Sequence, residues 1–205
     1  MRRNRLILTI ASYISVIFTP FYLPLMGLLA LFLFSYLSML SWGYKLHILL
    51  SVWIFTCLLP TTLIRLYSQY QGWSLLKLVQ REARMVPYII SIACYFACLY
   101  VMQLSHVSYI IKAIVVAALV VQILCAIINH WWKISIHTAA IGGTTGAVAA
   151  FSLIFDFYPL WWLCLLILFA GVLGTSRMLL RIHTLGQIVG GFLIGVVAGF
   201  VGVVI

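Results

Sequence analysis

Seven residues, spread over three separate stretches, have types and spacings suited to holding an anion and reacting with it. The first stretch reads Lys77-Leu-Val-Gln-Arg-Glu-Ala-Arg84. Lys77 and Arg84 are seven apart, two helical turns, and project on the same side of a helix. The second reads Lys133-Ile-Ser-Ile-His137, in which Ser135 and His137 share a side if the backbone is extended. The third reads Ser176-Arg-Met-Leu-Leu-Arg-Ile-His183 and is followed four residues later by Gln187. His183 and Gln187 are close enough on a helix face for a hydrogen bond. Arg177 is six residues before His183, so a bend between them is needed for both to converge. Lys77, Arg84 and Arg177 supply positive charge, and the planar fork of arginine matches phosphate oxygens. Ser135 adds a hydroxyl, and histidine titrates near neutrality, which suits acid–base and nucleophilic work. Cations and donors around the equatorial oxygens, an in-line nucleophile and a proton donor are the requirements of phosphoryl transfer.

The elements that position these residues are membrane helices. The chain has 205 residues, of which 66% are hydrophobic and 7% charged. A soluble domain carries about a quarter charged residues. That composition excludes a water-soluble globular protein, a disordered chain and a nucleic-acid-binding one. Twelve Lys and Arg stand against two acids, Glu82 and Asp156, for a net charge of +10. Most of the cations therefore lack a carboxylate in the chain, which points to an anionic partner from outside it.

A helix needs about 20 apolar residues to cross the hydrocarbon. The basic start, with Arg2, Arg3 and Arg5, leads into Leu6–Thr19, an interfacial or half-spanning helix that ends at Pro20. The crossings expected after it are Leu23–Leu40, Leu46–Tyr67, Val86–Met102, Val107–Ile128, His137–Phe155, Leu160–Thr175 and Thr184–Ile205. The expected fold is thus an all-α integral membrane protein, one bundle of six to seven transmembrane helices, forming a single domain over residues 1–205. Residues 1–22 form its basic tail and first helix, and the motif core spans 77–187. Counting crossings puts 68–85, 129–135 and 176–181 on one face, and the Lys45, Ser105 and Asp156 turns on the other. The three stretches thus meet on one side of the membrane. If the first helix lies in the interface, a cytoplasmic N-terminus puts that side in the cytoplasm; if it forms a hairpin with its neighbour, that side is outside.

Lys-x6-Arg, Ser-x-His and Ser-Arg-x5-His, in that order, resemble the three signatures of the type 2 phosphatidic acid phosphatase superfamily. The family pattern is Lys-x6-Arg-Pro, Pro-Ser-Gly-His and Ser-Arg-x5-His-x3-Asp. Here Met85 stands in place of proline, Ile134 and Ile136 replace proline and glycine, and Gln187 stands where the family has aspartate. The resemblance implies a membrane lipid phosphatase that needs no cofactor or metal. It implies His183 as the nucleophile forming a phosphohistidine and His137 as the proton donor to the leaving group. Gln187 would orient His183 without carrying the aspartate's charge. Lys77, Arg84, Ser135 and Arg177 would bind the phosphate. The implied partners are a lipid phosphate or lipid diphosphate and the surrounding membrane lipids, and the implied location is a bacterial inner membrane. A lipid phosphotransferase and a noncatalytic lipid-phosphate-binding protein are the alternatives.

The remaining features read as structure. The five cysteines lie in apolar runs and their number is odd, so no disulfide framework is expected. Gly191, Gly195 and Gly199, and likewise Gly142 and Gly146, have the four-residue spacing that brings helix backbones together in lipid. Lys133 and Arg181 read as interfacial cations, and Trp131 and Trp132 as members of an interfacial aromatic belt.

Overall fold

Proline, the hydrophobic run lengths and the polar turns divide the chain into helices. The computed structural model describes residues 2–72 and 84–205, and among these there is no strand. The helices are α1 (Arg2–Ile17), α2 (Leu23–Phe34), α3 (Trp42–Val52), α4 (Leu59–Tyr70), α5 (Met85–Leu104), α6 (Tyr109–Trp131), α7 (Ile136–Phe155), α8 (Leu160–Leu179) and α9 (Leu185–Val204). A π turn at Trp53–Leu58 joins α3 to α4 in one 29-residue helix. Its cause is Pro60, which has no N–H to offer one turn back; the Leu59 N–H reaches the Ile54 carbonyl, five residues behind.

Among the described residues, six helices are long and apolar enough to cross a membrane: Trp42–Tyr70 and α5 to α9. Their outer surfaces are apolar, with Trp161 85%, Leu153 73% and Leu193 58% exposed. A soluble monomer does not present so continuous an apolar exterior, so this is a membrane protein.

The expected crossing at Leu23–Leu40 does not form as one helix. Ser35 is extended (φ −114°, ψ 176°), its hydroxyl donates to the Leu31 carbonyl, and a 3-10 turn follows at Tyr36–Met39. That leaves α2 with 12 residues, about 18 Å, against a hydrocarbon core of about 30 Å. Instead the chain descends along the bundle from the end of α1 through α2. Ser15 touches Arg177 at the end of α8, and Phe18 packs on Phe169 with ring centroids 5.3 Å apart, two turns deeper. The Phe21 carbonyl accepts from Cys57 Sγ at 3.0 Å and Thr56 Oγ1 at 3.3 Å, halfway along Trp42–Tyr70. Gly27 then lies against Ile114 near the start of α6. The contacts descend steadily from the end of the bundle that carries Arg177 to the opposite end.

The tightest pair is α7 with α9. A Cβ placed on Gly195 would overlap the Ala139 carbonyl, and one on Gly199 the Gly143 carbonyl. On the facing side Gly146 lies against the Val196 backbone. In lipid no hydrophobic effect drives helices together, so close backbone packing of this kind carries the association. Both helices run the same way, and their N-termini lie side by side.

Candidate functional site

The parallel α7–α9 pair sets the centre of the site. Ser135 is the N-cap of α7 and Thr184 the N-cap of α9. The Ser135 N–H donates across to the Gln187 carbonyl at 3.4 Å. Two helix N-termini with positive dipole ends therefore lie side by side, an arrangement that favours an anion. Ser135 is fully buried, yet its hydroxyl does not cap its own helix and has no hydrogen-bond partner. The stretch holding Ser135 and His137 is extended only at Ser135. The helix begins at Ile136, so His137 lies in its first turn rather than on a strand. Ile136 fits this helical start without a positive φ.

The bend needed between Arg177 and His183 is present. Helix α8 ends in a turn with Arg181 in the left-handed region (φ 53°), and the Ile182 N–H closes back on the Arg177 carbonyl at 3.2 Å. This reversal brings His183, in the residue before the N-cap of α9, back toward Arg177. Arg181 itself points to the exterior.

Gln187 does two jobs with one oxygen. As the third residue of α9 it completes a capping box with Thr184, and its Oε1 accepts the Thr184 N–H at 3.3 Å. The same Oε1 lies 3.0 Å from His183 Nδ1. A backbone N–H can only donate, so the atom facing it must be the amide oxygen rather than the NH2. His183 Nδ1 must then carry the proton, which leaves the lone pair on Nε2. That Nε2 is buried and unpartnered. Burial first, then the nearby Arg84, and less strongly Arg177 and Lys133, hold His183 down at about 3, against a smaller upward push from Gln187. The imidazole is neutral at neutral pH.

Arg84 caps the start of α5, where the helix dipole disfavours a cation, and burial lowers its pKa. Asn129 Nδ2 to Met85 Sδ (3.7 Å) ties the end of α6 to this point. Lys133, between α6 and α7 at the same end of the bundle, is lowered by burial and then by Arg84 and Arg177. Arg177 is buried; its Nη1 donates to Ser15 Oγ at 2.6 Å, and its Nε has no partner. His137 has its ring against the Ser15 backbone and an unpartnered Nδ1.

The structure thus brings Arg84, Ser135, His137, Arg177, His183 and Gln187 together. Lys77 and Glu82 lie outside the described residues. Asp156 ends α7 at the opposite end of the bundle. Among the described residues, four buried polar atoms at this end are without partners: Ser135 Oγ, His137 Nδ1, Arg177 Nε and His183 Nε2. Buried polar atoms are nearly always hydrogen-bonded in folded proteins, so this cluster has the character of a binding site. Ser15, which enters from α1, carries no sequence signal; it is one hydroxyl in an apolar N-terminal helix. No family model, curated protein or solved structure matches the chain.

Proposed function

We propose that the protein is a membrane lipid phosphatase of the type 2 phosphatidic acid phosphatase kind, acting on a phosphate monoester or diphosphate at a lipid headgroup. The observation that carries this reading is the group of four unpartnered buried atoms ringed by Arg84, Arg177 and Lys133. A phosphate group offers acceptors to Ser135 and Arg177 and negative charge to the cations. The lipid tails stay in the hydrocarbon while the headgroup reaches the end of the bundle.

In the proposed reaction the lone pair on His183 Nε2 attacks phosphorus and a phosphorus–nitrogen bond forms. The bond from phosphorus to the lipid oxygen breaks, and His137, entering the step as the imidazolium, gives that oxygen its proton. Water, deprotonated by His137, then displaces phosphate from His183. Neutral His183 with its proton on Nδ1 is the form such an attack needs. The cations stabilise charge on the equatorial oxygens throughout. The reaction so drawn calls on no metal, and the enzyme would sit in a bacterial inner membrane.

The test is phosphate release from a panel of lipid phosphates by the wild type and His183→Ala. Release by the wild type, lost in the variant, is expected; equal rates would sink the reading. Mass spectrometry of the products separates hydrolysis from transfer to another lipid alcohol. The neutral amide of Gln187, where a carboxylate would balance charge on the imidazole, favours a second reading in which the site binds lipid phosphate without turnover. Binding of orthovanadate without phosphate release would support that second reading.

A further inference from the structure

Many helical hydroxyls among the described residues follow one habit, Ser68 in α4 being buried without a partner. Ser51, Thr61, Ser91, Thr145, Ser152 and Ser176 each donate to a carbonyl three or four residues back along their own helix. Satisfying the hydroxyl proton locally is the low-cost solution inside an apolar bundle. Ser15 departs from it. It lies in α1, two residues from the helix end, and is only 6% exposed. Its oxygen accepts from Arg177 Nη1 at 2.6 Å, across 162 residues of sequence. Among the described residues no atom accepts its proton. Its backbone also meets the ring of His137. The hydroxyl proton is therefore left over next to Arg177, whose Nε is also without a partner among the described residues.

We propose that Ser15 is an anion-binding residue of this site, accepting from Arg177 and donating to an oxygen of the bound phosphate group. Helix α1 is then a wall of the pocket rather than a peripheral anchor. The inference rests on the phosphate-site reading above. Arg177 is a donor only, and a hydroxyl is among the few groups that accept from it while still donating to the anion. Alanine keeps the helix but breaks that relay. Threonine preserves it.

The experiment uses the full chain in lipid nanodiscs, with orthovanadate affinity read by calorimetry and phosphate release read in parallel. Ser15→Ala is expected to weaken orthovanadate binding about tenfold, the loss of one hydrogen bond to a charged group. It should raise KM by a similar factor with a smaller change in kcat. Ser15→Thr is expected to stay within about threefold of wild type. Ser15→Ala binding as tightly as wild type, or more tightly, overturns the proposal, as does Ser15→Thr binding as weakly as Ser15→Ala. Arg177→Ala separates the two readings. If it abolishes binding while Ser15→Ala does nothing, the phosphate site stands and Ser15 is removed from it. If the wild type fails to bind orthovanadate, or Arg177→Ala binds it equally well, both readings fall together.

Discussion

Gln187 shows how one side chain can be tied to structure and chemistry at once. Its Oε1 receives both the Thr184 N–H and the His183 Nδ1–H, so the helix cap and the histidine tautomer depend on the same atom. Being neutral, it leaves His183 under the influence of burial and Arg84, and the imidazole is held at about 3. An ordinary histidine titrates near about 6.5. The unfolded chain therefore takes up this proton over an interval in which the fold does not. Stability present above about 6.5 is lost as the pH falls toward about 3. Gln187→Glu keeps the length and the capping box while adding a negative charge next to the imidazole. It is expected to raise His183 toward its ordinary range and to shrink the fall in Tm between pH 7 and pH 4, measured by thermal melts in detergent. If the phosphohistidine route is right, it should also speed phosphate release by about 10- to 100-fold, a fraction of the about 10⁴ that a carboxylate orienting a histidine is worth in serine proteases.

At the scale of elements, the α7–α9 pair decides whether there is a site at all. The glycine spacing lets the two backbones touch, and that closeness puts Ser135 beside Gln187 and both N-terminal dipoles at one point. Gly195→Ala would drive a methyl into the Ala139 carbonyl, and backbone on both sides leaves no rotamer to relieve it. The cost of such overpacking is about 1–3 kcal/mol. The variant is expected to melt at lower temperature and lose orthovanadate binding by more than tenfold. Gly171→Ala, where the new methyl meets nothing within 4 Å, is the matched control and should behave as wild type.

Across the whole molecule, the ends of the bundle differ. Arg84, Lys133 and Arg177 gather at one end, while Asp156 lies at the other. Ser15, two residues from the end of α1, lies at the end that carries the site, so the basic start of the sequence comes before the chain enters the bundle from that end. Basic residues flanking a first crossing favour the cytoplasmic side. In a cysteine-free background, Trp131→Cys at the site end and Tyr158→Cys at the far end report the orientation; both positions are exposed. A membrane-impermeant maleimide added to intact cells is expected to label Tyr158→Cys and to reach Trp131→Cys only after permeabilisation. The opposite pattern would put the site outside.

Hydropathy and parity, read along the chain, were enough for a helical membrane bundle with Arg84 and the second and third polar stretches at one end. A helix in lipid must satisfy its own backbone, so run length translates directly into a crossing. The glycine repeats were legible as packing faces for a related reason, since a missing side chain is a local property with a local geometric effect. The tertiary structure decided what depends on contacts between distant segments. It split the Leu23–Leu40 run at Ser35, because that serine bonds its own preceding turn, and it laid the end of α1 and α2 along the bundle. It turned the α8–α9 corner through Arg181 and fixed the tautomer of His183 through a capping bond that the spacing alone could only suggest. It also brought Ser15 to Arg177, a pairing over 162 residues that no periodicity encodes. Residue types specified the chemistry on offer; only packing decided which atoms share one small buried space.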